Sequence, residues 1–396
     1  MPQSFDDGQS PFDFDHRYHG PHYTEDHHAW RRAIRAFVDK EIMPHVDDWD
    51  EAGEFPRELY TKAAEVGLLG AGYPQEYGGT PIADPFFNIV TAEEMARCSS
   101  GGINASLMVH SIGLPPILAI GSDEMKRRIA PAVLAGEKIQ ALAVTEPSGG
   151  SDVSNLRTTA VREGDHYVVN GSKMFITGGM RADYYTVAVR TGGAGAGGVS
   201  LLLIERDREG FTRTPLKKQG WWASDTAALY FDDVRVPVEN LIGQENDGFK
   251  GAMANFNNER LWMSASSNAL ARVCLEDALA WARARKTFAQ RLADHQVIRH
   301  KFAEMARKIN ATQAYLEQCA FRVAAGEKPI ADLSLLKVQS TLTMEFCARE
   351  AMQILGGAGY MRGCRVERIY REVRVMAIGG GSEEIMRDLA ARQMGV

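Results

Sequence analysis

The alternation of apolar and polar positions divides the chain into three zones. Over residues 25 to 138, apolar side chains recur at three- and four-residue steps, as in AWRRAIRAFVDKEIMPHV, PFFNIVTAEEMARC and DEMKRRIAPAVLAG. That spacing predicts amphipathic helices, and Ser122-Asp123 before the last segment is a helix start signal. From residue 139 to about 240 the runs shorten to KIQALAVT, HYVVN, SKMFIT, YYTVAVRT, VSLLLIERD and TAALYFDDVRV, each bounded by turn residues. These predict strands of an antiparallel unit. Asn170-Gly171, between YVV and SKMFIT, predicts a tight hairpin, because both central residues of such a turn need φ > 0. From residue 251 onward long helical patterns return, and long helices on short loops pack as an antiparallel bundle. The expected fold is α+β. It has a tail over 1–24, a helical domain over 25–138, a central β-domain over 139–245 and a helical bundle over 246–396.

Composition narrows the function. The 396 residues suffice for two or three domains, and 45 % apolar with 24 % charged residues is an ordinary globular balance. A net charge of −6 with interspersed signs gives no footprint for nucleic acid or an anionic membrane. The cysteines are Cys98, Cys274, Cys319, Cys347 and Cys364, an odd number without a C-x-x-C, which argues against a disulfide framework or a zinc site. The acidic start MPQSFDDGQSPFDFDH reads as neither signal nor transit peptide, and no apolar run approaches spanning length. A cytoplasmic protein with no membrane insertion is expected. The His-rich stretch DHRYHGPHYTEDHH is read as a solvated tail, with no metal site expected.

One motif is set aside. Gly193, Gly195 and Gly198 fit the spacing of a dinucleotide fingerprint, but the strand-like VSLLLIERD follows where a helix N-terminus would have to bind pyrophosphate. A hairpin loop is expected instead. Two other stretches carry chemistry. LAVTEPSGGSDVSNL (142–156) offers the hydroxyls of Thr145 and Ser151 around free backbone at Gly149-Gly150, and NGSKMFITGG (170–179) follows it. Alone, the first is equally a tight loop with an Asx turn at Asp152.

Together these two stretches resemble the acyl-CoA dehydrogenase family. The resemblance continues through KKQGWWASDTAALYFDDVRVPVENLIGQENDGF (217–249), ARKTF followed by HQ, MQILGGAGY (352–360) and IYREVRVMAIGGGSEEI (369–385), and covers roughly residues 25 to 395. It implies N-terminal helices, a central β-domain and a C-terminal four-helix bundle. It also implies FAD as cofactor, a homotetramer built as paired dimers, and an electron-transfer flavoprotein as acceptor. For the flavin it implies Leu142, Val144, Thr145, Gly150 and Ser151 on one loop, and Phe175, Ile176 and Thr177 on the strand behind the ring. Phe175 stands where many relatives have Trp. Arg285, Thr287, Phe288, His295, Gln296, Gln353, Gly356 and Gly357 would reach the cofactor of the neighbouring subunit, with Ser382 and Glu384 also on the cofactor side. Ala289 departs from the family's usual Gly. Without the resemblance, Arg285 reads as a charge on a solvated helix face.

The family removes an α-proton with a carboxylate, and many members carry that Glu in the C-terminal loop. Here the position is Gly380, within three consecutive glycines over 379–381. Glu383 and Glu384 follow, where a helix start favours acidic residues in any case. The long-chain and isovaleryl members place the base before an Arg-Leu on the first bundle helix. FNNERLW matches this with Glu259, Arg260 and Leu261. The resemblance thus implies Glu259 as base and the Gly380 N–H as donor to the thioester carbonyl. Ser151, Asn257, Asn258, Arg260 and Gly381 fall on the substrate side. The plain reading of Glu259 is a helical Glu paired with Arg260 or Arg272. Trp221, Trp222, Phe256 and Trp262 either shape an acyl pocket or are core aromatics. A flavin oxidase or monooxygenase on the same fold, and a non-catalytic relative, remain as alternatives.

Overall fold

A computed structural model describes residues 20–253 and 256–396, and of residues 252–258 it describes no side chains. The first zone folds as α1 (Glu25–Phe37), α2 (Val46–Ala52), α3 (Glu58–Glu65), α4 (Pro85–Ala96), α5 (Gly101–Leu107), α6 (His110–Gly113), α7 (Pro115–Ile120) and α8 (Asp123–Leu134). The start signal before α8 is a true cap: Ser122 Oγ accepts the Met125 N–H, satisfying one of the donors that every helix start leaves open.

The second zone holds β1 (Gln140–Ala143), β2 (Thr159–Glu163), β3 (His166–Ile176), β4 (Tyr184–Arg190), β5 (Val199–Glu205), β6 (Phe211–Pro215), β7 (Ala227–Pro237) and β8 (Leu241–Ile242). They form one sheet in the order β6-β7-β3-β2-β4-β5-β8, with β1 joined to β4. Most pairings are antiparallel, as expected, but β1 and β2 both run parallel to β4, so the sheet is mixed. The glycine-rich loop at 192–198 connects the antiparallel pair β4 and β5, which is the hairpin expected there.

The expected turn at Asn170-Gly171 is not formed. Both residues lie inside the continuous strand β3, at a register shift against β7. The hairpin between β2 and β3 turns at Gly164-Asp165 instead, with Gly164 at φ +64°. Gly171 serves a different need, because a Cβ there would meet Thr158 Cα at 2.7 Å. Close approach of two backbones demands glycine as firmly as a turn does.

The third zone contains α9 (Gly248–Met253), α10 (Phe256–Ala284), a short hairpin of β9 (Lys286–Thr287) and β10 (Gln290–Arg291), α11 (Gln296–Ala324), α12 (Ile330–Leu355), α13 (Arg365–Ile378) and α14 (Glu383–Met394). Helices α10 to α13 pack around one apolar core that includes Leu275, Ile309, Met344 and Ile369, with α14 against α12. A buried carboxylate ties the three zones together. Glu372 on α13 accepts the Gly101 N–H at 2.7 Å and the Trp221 N–H at 3.2 Å, and complete burial pushes its carboxyl up to about 8. Among the described residues no single helix is long and apolar enough to cross a membrane, and no group of three or more His, Cys, Asp or Glu could hold a metal ion. Residues 1–19 lie outside the description, and the described remainder of the His-rich stretch is not the solvated tail expected: Tyr23 and His27 are buried, His27 lies 3.1 Å from Asp84, and His22 stacks on Phe86.

Candidate active site

The glycine turn at 379–381 links α13 to α14. Gly380 and Gly381 take φ of +65° and +101°, a region that side chains disfavour. Space is equally short. A Cβ on Gly380 would stand 2.5 Å from Met263 Sδ, and one on Gly381 2.5 Å from Met386 Cε. The same Gly380 position lies 3.8 Å from Glu259 Oε1. Helix α10 therefore delivers the Glu259 carboxylate directly opposite the turn, one helical step before Met263, which packs on it.

The Glu259 carboxyl is raised above the ordinary glutamate value by burial, with the cations of Arg260 and Lys337 pulling the other way. Arg272 stands 3.8 Å from Glu93. Arg260 is buried beside Glu259. Asn257 and Asn258 occupy the first turn of α10, and their side chains lie outside the described residues. Ser382 caps α14, accepting the Ile385 N–H. Glu383 pairs with Arg387 at 2.8 Å, and Glu384 is exposed at the same helix start.

A second cluster forms in the β-domain. The Met174 N–H donates to Thr145 O at 2.9 Å, which joins the 142–151 loop to β3. At the next residue the strand bulges, and Phe175 is held at φ +63° with its ring 66 % exposed. A bulky aromatic in left-handed backbone, turned to solvent, is a strained arrangement of the kind that gathers at functional sites. Ile176 is buried behind it, and Leu142, Val144, Thr145 and Thr177 are half-buried. Gly150 and Ser151 are exposed on the loop. Beneath them lies an ion pair that the strand pattern gave no reason to expect. Lys173 is fully buried, and its ammonium donates to Glu146 Oε1 at 2.8 Å and Val144 O at 3.1 Å. Glu146 also accepts the N–H groups of Arg157 and Thr158. The pair ties the 142–151 loop to β3 from below. An exposed ring beside a loop carrying the hydroxyls of Thr145 and Ser151 could hold a planar polar ring system.

The third group lies on the bundle. Thr287 Oγ1 is 3.0 Å from His295 Nε2, and Phe288 meets His295 edge to face at 6.3 Å. Phe288 is 94 % exposed. Arg285, Gln296, Gln353, Gly356 and Gly357 are exposed as well, the last three at the end of α12. The large aromatics sort differently. Trp222 stacks on Arg371 at 3.7 Å and Trp221 binds Glu372 through its backbone, so both serve the junction between zones. Trp262 packs on a core cluster of α4 and α11. The side chain of Phe256 lies outside the described residues.

Comparison with known proteins matches three successive domains along the chain. Profiles of the acyl-CoA dehydrogenase N-terminal, middle and C-terminal domains match residues 24–137, 141–234 and 246–395. An acyl-CoA dehydrogenase of Alternaria alternata is 38 % identical over 94 % of this chain and 92 % of its own. A crystal structure described as a putative acyl-CoA dehydrogenase from Mycobacterium smegmatis superposes with a TM-score of 0.92 at 45 % identity, covering 94 % of this chain and 98 % of that one. A glutaryl-CoA dehydrogenase of the same organism, solved in complex with FADH2, superposes at 0.88 with 27 % identity over 97 % and 96 % of the two chains. With all three domains matched in order and a near full-length relative, the chain belongs to the acyl-CoA dehydrogenase family of flavoprotein oxidoreductases.

Proposed function

We propose that this protein oxidises an acyl-CoA thioester between Cα and Cβ to the trans-2-enoyl-CoA, with Glu259 as the base. The observation that carries the reading is the meeting of Glu259 Oε1 with the space left at Gly380. A thioester carbonyl seated beside the turn would take a hydrogen bond from the Gly380 N–H, which acidifies the neighbouring Cα–H as negative charge builds on oxygen. Glu259 then removes the α-proton. Burial favours the protonated carboxyl that results and brings the base nearer to neutral pH. Arg260, with Asn257, Asn258, Ser151 and Gly381, serves the substrate side.

FAD is the cofactor in this reading, and bound there it supplies the acceptor for the hydride that leaves Cβ. Leu142, Val144, Thr145, Gly150, Ser151, Phe175, Ile176 and Thr177 would hold its ring. Arg285, Thr287, Phe288, His295, Gln296, Gln353, Gly356 and Gly357 would hold the dinucleotide of a second subunit, with Ser382 and Glu384 beside the C-terminal turn. The exposure of Arg285, Phe288, Gln296, Gln353, Gly356 and Gly357 supports an assembly in which another copy covers them, a homotetramer of paired dimers. An electron-transfer flavoprotein is the proposed acceptor.

The test is anaerobic addition of straight and branched acyl-CoAs to the FAD-loaded protein. Loss of the oxidised-flavin absorbance with formation of enoyl-CoA is expected, and the fastest acyl group identifies the substrate class. Retention of the absorbance across the whole panel would overturn the reading. Fast reoxidation by O₂ after bleaching would instead favour an oxidase or monooxygenase on this fold.

A further inference from the structure

We infer that Lys337 is a positioning residue for this reaction: its ammonium clamps the glycine turn in place and presents a positive charge to the Glu259 side of the site. The inference rests on Glu259 being the base. Lys337 lies in the apolar stretch LSLLKVQ of α12 and is fully buried. Its Nζ donates to Gly381 O at 2.6 Å and to Ala377 O at 3.3 Å. Ala377 belongs to the last turn of α13, whose carbonyls have no partner within the helix and carry the negative end of its dipole. One ammonium thus joins the end of α13 to the third residue of the turn, across the very backbone that carries the Gly380 N–H.

The charges around it come from two other elements. Glu259 and Arg260 face it from α10, and Glu383 and Glu384 face it from the start of α14. Burying an ammonium is costly, and an apolar residue of similar volume would pack α12 at less expense. The lysine is instead placed where two backbone carbonyls and the base's carboxylate each interact with it. Burial draws its ammonium down to about 8, so it is predominantly charged at neutral pH and offsets part of the effect of burial on Glu259. Without the charge, the single negative charge left when the Glu259–substrate pair loses a proton to solvent, carried by carboxylate or enolate, sits in a more negative site. Without the donor, the Gly380–Gly381 backbone, held at positive φ, loses its anchor.

The experiment uses FAD-loaded wild type, Lys337→Gln, Lys337→Met, Lys337→Arg and Glu259→Gln. The probe is a 3-thia acyl-CoA, whose α-proton is acidic and whose enolate gives a long-wavelength charge-transfer band against oxidised flavin. The band reads proton removal without turnover, and it is titrated with pH. Lys337→Gln keeps a donor but loses the charge, and its midpoint is expected at least about half a pH unit above wild type, roughly threefold in the acid constant. Lys337→Met is expected to shift as far and to show a weaker band, and Lys337→Arg to return towards the wild-type midpoint. Coincident midpoints for wild type and Lys337→Gln would overturn the proposal, even if the band weakens. So would failure of both neutral variants to fold, which would make Lys337 a packing residue. A full band in Glu259→Gln would sink the base assignment itself, whatever Lys337 does.

Discussion

Two turns in the bundle hold consecutive residues in left-handed backbone, and they are built in opposite ways. At 380–381 the residues are glycines, Met263 and Met386 crowd the space, and Lys337 grips the backbone. At 288–289 they are Phe288 and Ala289, at φ +48° and +67°, and the Phe288 ring is bare. The first turn is relaxed by sequence and fixed by its surroundings. The second is strained by sequence and supported on one side only, by Thr287 and His295. A packed, polar-anchored turn is a place where a single chain can hold a reacting group still. A strained exposed one is a surface open to a partner, and under the proposed function that partner would be the cofactor of a second copy. Under the proposed function the base side of the site would be complete within one chain, and the dinucleotide side would not.

Three substitutions probe this contrast. Gly380→Ala is expected to act most strongly. The new Cβ would have to displace Met263 Sδ from 2.5 Å, at a backbone angle that alanine disfavours. Loss of the aim of one oxyanion donor slows anaerobic flavin bleaching by about 10²-fold, while stability falls by only ~1–2 kcal/mol. A bleaching rate like that of wild type would mean that the turn is not part of the site. Arg285→Ala comes next. It should loosen FAD about tenfold, the scale of one charge-assisted hydrogen bond, and leave the pH dependence of bleaching unchanged. Equilibrium dialysis of the cofactor measures the first and stopped-flow the second. Unaltered FAD affinity would return Arg285 to a solvated charge. Ala289→Gly is the mildest. Relief of left-handed strain should raise stability by up to ~1 kcal/mol, seen as a small rise in the thermal midpoint of the apoprotein. A fall would show that the hairpin gains more from the methyl group than it loses to φ.

These contrasts also mark what could be read in the sequence. The zones were legible because apolar period tracks element type closely in long segments. The expectation of Glu259 as base comes from the resemblance, with Gly380 where many members carry the Glu and FNNERLW matching the other placement. Asn170-Gly171 misled because the same dipeptide suits a hairpin and a tight strand crossing; only the neighbouring Thr158 backbone decides between them. Asn170 instead bonds Asp233 across the strands. The β1–β4 parallel pairing was invisible, since local pattern does not encode strand partners. Lys173 and Lys337 were missed for one shared reason. Each reads in sequence as a surface residue, and both bond main-chain carbonyls, which leave no mark in a sequence. For Lys337, flanked by Leu335, Leu336 and Val338, the apolar neighbours were the available signal.

The central claim is that the working carboxylate comes from α10. It is tested most directly by anaerobic stopped-flow of flavin bleaching at saturating FAD and acyl-CoA, in wild type, Glu259→Gln and Glu383→Gln. A loss of about 10³-fold or more is expected for Glu259→Gln, the scale of a general base, and a change of no more than a few-fold for Glu383→Gln. Bleaching at the wild-type rate in Glu259→Gln, with the large loss in Glu383→Gln, would contradict it and move the base to the start of α14.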